Sequence, residues 1–212
     1  MKLQQTEGLR LSFPSKMPCA CIGLPALESC KTGTKLAEIE GSVCEDCYAL
    51  KWTYRLENVK APRQANMIYT LHALESDQGR ADWVAHMAAL IDATDMRSFR
   101  WHDSGDIMSS DHLLMIFRVC ELTPSVRHWL PTREVKFVTD AIYDSPIPPN
   151  LNIRISANMV GKTITPSIPG LTASSVSSGQ GFACKAPSQD GKCLSCRACW
   201  SRDVQNIDYK KH

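Results

Sequence analysis

The sequence has no apolar run near the ~18 residues that a helix needs to cross a bilayer. Its start, Met1-Lys2-Leu3-Gln4-Gln5-Thr6-Glu7, lacks the apolar stretch of a secretory leader. Both absences place the expected location in the cytoplasm, with no membrane partner. Net charge is scarce as well: 24 Lys and Arg against 22 Asp and Glu leave +2. Charge therefore nominates no nucleic-acid partner, and the basic end Lys210-Lys211-His212 reads as a solvated tail. A glycine-rich phosphate loop is missing too. Gly161-Lys162-Thr163 has no upstream glycine at the Walker spacing, and no G-x-G-x-x-G occurs, which removes the nucleotide-triphosphate reading. No G-x-S-x-G elbow surrounds Ser104-Gly105, which removes the serine hydrolase reading. Neither a fixed-period repeat nor a low-complexity tract is present.

Cysteine is abundant instead, with ten in 212 residues. In a reducing compartment such a chain points to metal rather than to disulfides. The most specific stretch is Cys184, then Cys193-Leu-Ser-Cys196-Arg-Ala-Cys199-Trp200. Three cysteines at successive intervals of three, with a fourth a short loop upstream, let one segment wrap a compact inorganic core. That repeat favours a [4Fe-4S] cluster, with zinc as the alternative, because structural zinc usually takes two separated cysteine or Cys/His pairs. A second group lies near the start: Cys19, Cys21, Cys30 and Cys44-Glu45-Asp46-Cys47. A four-ligand site there takes Cys30, Cys44, Cys47 and one of Cys19 or Cys21, with Cys19 preferred. The expectation is one cluster or two, and a competing arrangement gathers both groups around a single cluster. Cys120 shares a helical face with Leu113 and Phe117 and reads as core.

The length suits one domain, divided into a cysteine-rich arm (1–50), a β/α core (51–178) and a cysteine-rich tail (179–212). The pattern from Tyr48 is helical until Pro62, where a second helix is expected to begin and run to about Leu74. A third carries the Trp83, Met87, Leu90 and Ile91 stripe, read as core packing, with Asp77 as its cap. Strand, polar loop and helix then follow twice, through Ser98–Trp101 and a helix over 110–122, then His128–Leu130 and a helix through Val135, Val138 and Ile142. Leu151–Ser156 alternates most clearly, and a short strand is expected over Ala173–Ser177. This order predicts an α/β fold with parallel strands, an open or partial (β/α) barrel with cysteine-rich loops at both termini.

Sites in such sheets form at the carboxyl ends of strands. Three ends are polar: His102, Asp103, Ser104 and Asp106; Thr132, Arg133 and Glu134; Ser156 and Asn158. The catalytic candidates are His102 with Asp103 or Asp106 for proton transfer, Arg133 as a bidentate donor to a carboxylate or phosphate, and Glu134 beside it. The plainer reading makes Asp106 or Ser109 a helix cap, pairs Arg133 with Glu134 and uses Gly105 for a tight turn.

Taken together, Lys16-Met17-Pro18-Cys19, Gly23-Leu24-Pro25-Ala26, Cys44-x2-Cys47-Tyr48-Ala49, Arg100 through Asp106, Trp129 through Glu134 and the C-terminal C-x2-C-x2-C-W closely resemble a family of tailed-bacteriophage proteins. That family is known only as a numbered gene product, gene product 88-like. The resemblance implies a phage-encoded protein in the host cytoplasm. More distantly, the order of cysteines and polar strand ends is similar to phage proteins related to radical S-adenosylmethionine enzymes, which hold a [4Fe-4S] cluster with C-x3-C-x2-C in a partial barrel. Here Glu40 stands where the first of those cysteines would fall. Two functions follow: an iron–sulfur enzyme acting on an unknown small-molecule ligand, or a zinc- or cluster-stabilised protein binding a host or phage macromolecule.

Overall fold

The computed structural model describes residues 8–211. The start read for a leader and the terminal His212 lie outside the described residues. Seven strands form one sheet: β1 (Ala20–Ile22), β2 (Ser98–Trp101), β3 (Arg127–Thr132), β4 (Leu151–Ser156), β5 (Thr172–Val176), β6 (Phe182–Ala183) and β7 (Asn206–Tyr209). The order is β1-β2-β3-β4-β5-β7-β6, and every strand pair is parallel. Among the described residues five α-helices accompany it: α1 (Lys31–Leu36), α2 (Glu57–Ala73), α3 (Asp77–Asp92), α4 (Ser110–Leu122) and α5 (Val135–Asp144). The α/β fold with parallel strands expected from the sequence is present as an open sheet.

The first five strands are laid down in sequence order, each beside the last. With right-handed crossovers, that order puts the helices on one face of the sheet. Alternation along each strand then divides the side chains. Ala20, Ile22, Phe99, Trp101, Leu130, Leu151, Ile153 and Ile155 join Trp83, Met87, Ile91, Ile116, Phe117 and Val138 from the helices in the main core. The Trp83 and Met87 stripe is core, as expected, and Cys120 lies in the same cluster. The intervening positions, Cys21, Arg100, Trp129, Asn152 and Arg154, belong to the opposite face. All but the half-buried Arg100 are sequestered too, Arg154 fully.

The cover on that face is the C-terminal tail. Arg154 donates through Nε to the Cys199 carbonyl (3.2 Å), through Nη1 to Ala173 (2.7 Å) and through Nη2 to Ala198, Ser201 and Val204 (3.1, 2.9 and 2.8 Å). Asn152 Nδ2 donates to the Cys199 and Ser201 carbonyls. A guanidinium carries five N–H donors and no acceptor, so it suits a cage of carbonyls left free by an irregular tail.

Two expectations need correction. Helix α2 begins at Glu57, five residues before Pro62, and carries the proline inside it. Pro62 cannot donate to the Asn58 carbonyl, a local loss that the packing of the helix outweighs. The cap of α3 is Ser76, whose hydroxyl accepts from Gly79 N–H (3.0 Å), rather than Asp77. The free edge of β1 exchanges two backbone hydrogen bonds with Ser12. That contact protects an edge otherwise open to pairing. No helix among the described residues is long and apolar enough to cross a membrane.

Candidate functional site

The chain between β1 and β2 spans residues 23–97 and carries α1, α2 and α3. Its first half holds Cys30, Cys44 and Cys47, just beyond the carboxyl end of β1. All three line a cavity of about 90 Å³, together with Tyr48, with Ser104, Gly105 and Asp106 from the loop after β2, and with Arg133 from the loop after β3. The N-terminal cysteines and two of the polar strand ends therefore meet at one place. Loops following three adjacent parallel strands converge there, as the topology directs.

Glycine is required twice in this wall. A Cβ on Gly33 would stand 2.9 Å from Cys30 Cβ, with the sulfurs of Cys44 and Cys30 at 3.7 and 3.8 Å. The missing side chain leaves both thiols room on the same spot. Gly105 has φ +79°, in the left-handed region, and a Cβ there would meet Ser29 Oγ at 2.5 Å and Leu24 Cβ at 2.6 Å.

Asp106 joins the loops. Its Oδ1 accepts from the Thr132 hydroxyl (2.6 Å) and Ile107 N–H (2.8 Å), and its Oδ2 from Arg133 N–H (3.0 Å). Burial, opposed by these hydrogen bonds, pushes its pKa up to about 6. The cap of α4 is Ser109, accepting from His112 N–H (3.1 Å). Arg133 does not pair with Glu134. Its Nε is buried without a partner, and its charge favours the thiolate of Cys44. Glu134 instead receives Thr32 N–H (2.6 Å) and the Thr32 hydroxyl (2.8 Å), gripping the first turn of α1 directly after Cys30. That carboxylate is a clamp on the cysteine loop.

The other candidates sit elsewhere. Asp103 pairs with Arg63 of α2 (2.6 Å), which also donates to Ser104 Oγ (2.7 Å) and stacks on Tyr54. Its backbone carbonyl accepts from the Tyr48 hydroxyl. Asp103 thus fixes α2 and the Tyr48 segment against β2. His102, at φ 59°, turns into an aromatic cluster with Trp101 and His112, and burial, with His112 beside it, holds its pKa well below the imidazole range. It is not among the residues lining the cavity. At the third polar strand end, Ser156 accepts from the Ser174 hydroxyl and the Asn158 carbonyl accepts from Val43 N–H. The first joins β4 to β5, and the second ties two loops together.

The tail cysteines form the second group. Cys193 and Cys199 pack against Met17, Cys19, Trp129 and Trp200, with Tyr209 alongside. The Tyr209 hydroxyl stands 3.2 Å from Cys199 Sγ, and Trp200 Nε1 donates to the Phe99 carbonyl (2.8 Å). Cys19 therefore belongs beside the tail, not with Cys30, Cys44 and Cys47 as expected. Cys19 lies in the bend just before β1, and Cys21 lies in the strand itself. Arg100 lies stacked on Trp129 at 4.7 Å. The larger groove, about 520 Å³ along α3 and α4, contains none of the candidate residues.

Burial raises the thiol pKa of Cys19 and Cys30 to about 12 and of Cys199 to about 11, and raises Cys44 and Cys193 as well. A thiolate here needs a compensating cation. Among the described residues, no three His, Cys, Asp or Glu side chains are grouped to hold a single metal ion. Three thiols, those of Cys30, Cys44 and Cys47, line one cavity beside the space opened by Gly33, and Cys19, Cys193 and Cys199 meet at the tail.

Sequence reasoning missed Arg63, Arg100, Arg154 and Gly33. Only Arg154 carried a signal, as a charge inside the clearest strand alternation.

The family model described as Gene product 88 matches residues 2–202. The chain belongs to that family. No curated protein and no solved structure matches it.

Proposed function

We propose that this member of the Gene product 88 family is an iron–sulfur enzyme that acts on a small molecule held in the cavity beyond β1, β2 and β3. One observation carries the reading: Cys30, Cys44 and Cys47 line the same cavity as Asp106 and Arg133. Cys30, Cys44 and Cys47 would hold a [4Fe-4S] cluster, which would supply one-electron chemistry beside the cavity. The protein's own part is positioning. Arg133 brings a cation and a buried, unpartnered N–H to the wall, which suits a carboxylate or phosphate. Asp106 sets the Arg133 backbone and holds a proton near pH 6. Glu134 holds α1, and with it Cys30, over the cavity. The ten thiols fit a reducing cytoplasm. On this reading Cys30, which lines the cavity with Cys44 and Cys47, would take the part that C-x3-C-x2-C spacing gives to position 40, which makes S-adenosylmethionine the first ligand to test.

A second reading, a zinc- or cluster-stabilised interaction protein, is favoured by a different observation. Leu50, Trp52 and Leu56 are exposed in succession beside the cysteine loop, Trp52 by 84%. Exposed apolar groups of this kind mark docking surfaces.

Electron paramagnetic resonance on anoxically purified, dithionite-reduced protein separates the two. The enzyme reading expects an iron–sulfur signal that shifts on adding S-adenosylmethionine, with the shift abolished in Arg133→Ala at unchanged iron content. An unshifted signal, or a colourless zinc-loaded protein, moves the assignment to the interaction reading.

A further inference from the structure

Between the cysteine loop and α2 the chain makes two consecutive 3₁₀ turns, Tyr48–Leu50 and Trp52–Arg55, in which no residue is buried. Their aromatic side chains are nevertheless sorted. Tyr48 and Tyr54 meet edge to face at 5.5 Å and are held against the protein, Tyr48 on the Asp103 carbonyl and Tyr54 under the Arg63 guanidinium. Trp52 is left outside, 84% exposed. Its φ of 53° lies in the left-handed region, a high-energy one for a bulky side chain, and backbone strain of this kind gathers at ligand clamps. Lys51 pairs with Asp46, which folds the turn back onto the Cys44–Cys47 loop. Tyr48 and Ala49 line the cavity itself, and Trp52, three residues on, has its backbone within about 11 Å of Ala49.

That cavity is small. At about 90 Å³ it is well under the ~300 Å³ at which pockets begin to enclose a whole organic ligand, so a ligand anchored there leaves most of its bulk on the surface beside the rim. Resting on the small-molecule reading of this cavity, we propose that the ligand is a nucleotide, with its phosphate at Arg133 and its base stacked on Trp52. Arg133 supplies a cation and a buried N–H without a partner; Arg55, exposed beside Trp52, adds positive charge at the surface. Trp52 is not among the residues lining the cavity, so ring and anion must stand apart. A ribose between base and phosphate supplies that spacing, which a simple aromatic acid lacks. A nucleic-acid strand fits less well, because it uses a row of stacking platforms along a basic track. Here one tryptophan is exposed, and the nearby Lys51 and Lys60 are paired with Asp46 and Glu57.

Trp83, Trp101, Trp129 and Trp200 are each 5% exposed or less, so acrylamide quenching of tryptophan fluorescence reads Trp52 alone. Adenosine 5′-monophosphate, added to protein purified without oxygen, is expected to shield Trp52 from the quencher. By calorimetry, Trp52→Ala is expected to weaken binding of that nucleotide by about tenfold or more and Trp52→Phe to restore most of it, while ribose 5-phosphate binds the parent and Trp52→Ala alike. Three results overturn the proposal: quenching unchanged by this and the other common nucleoside monophosphates, equal nucleotide affinity in Trp52→Ala and the parent, or a short single-stranded oligonucleotide bound more tightly than any mononucleotide. Iron and acid-labile sulfide are counted on the same samples. Their absence with Trp52 still shielded by the nucleotide refutes the iron–sulfur reading alone; their presence with Trp52 unshielded refutes the nucleotide proposal alone.

Discussion

The two cysteine groups lie on one open sheet but are built differently. The tail group is pressed against Trp129 and Trp200, and its backbone is gripped by Arg154 and Asn152. The loop group beyond β1 faces a cavity with Asp106 and Arg133. One is walled by side chains and carbonyls; the other has a cavity with a cation and a carboxylate at its rim. On the proposed reading, the tail group holds and the loop group binds a ligand.

The largest effect expected is on the holding side. Arg154→Ala leaves the carbonyls of Ala173, Ala198, Cys199, Ser201 and Val204 without their shared donor, a loss of about 4 kcal/mol or more by denaturant unfolding. Metal at the tail should fall with it, while iron at the loop site persists; equal loss at both would erase the contrast. Arg63→Ala attacks the other side by stranding Asp103, which is 5% exposed, and should cost about 3–5 kcal/mol. Unfolding midpoints check the size, and retention of tail metal checks that the damage is local.

A pH effect follows from Asp106. Its folded pKa of about 6 lies above the ordinary 3.8, so folding favours the protonated form. Its contribution to stability is complete below about pH 4 and is lost as pH rises through 6, by roughly 2–3 kcal/mol. Asp106→Asn should flatten that slope relative to the parent in thermal melts from pH 4 to 7. Parallel curves for the two proteins would show that the carboxyl is ionised throughout. The smallest change expected is Glu134→Gln, which weakens the charge-assisted hold on Thr32 by about 1 kcal/mol and loosens the loop group alone. Melting temperature measures the cost, and iron bound per chain shows which group feels it.

Much of the frame was legible because it is local. The alternation of Leu151, Ile153 and Ile155 and the helical spacing of Trp83, Met87 and Ile91 mark faces that bury themselves, and both are in the main core. The polar partners in the same strands were harder. Asn152 and Arg154 look solvated when read along β4, but a tail some 45 residues away covers them. A far longer separation hid the place of Cys19: spacing grouped it with Cys30, Cys44 and Cys47, whereas packing puts it beside Cys193 and Cys199. Asp106 and Arg133 were legible as strand-end residues, since a parallel sheet gathers those loops. His102 met the same rule and departed from it, because its left-handed backbone turns the ring into the aromatic core. Glu134 was visible as a polar residue, but its role as a clamp depends on Thr32, 102 positions earlier.

Iron, zinc and acid-labile sulfide measured on protein purified without oxygen test the central claim most directly. Two cluster sites of different build predict about eight irons and eight sulfides per chain. Zinc without sulfide would contradict the account, leaving a metal-stapled scaffold whose cavity serves no cluster.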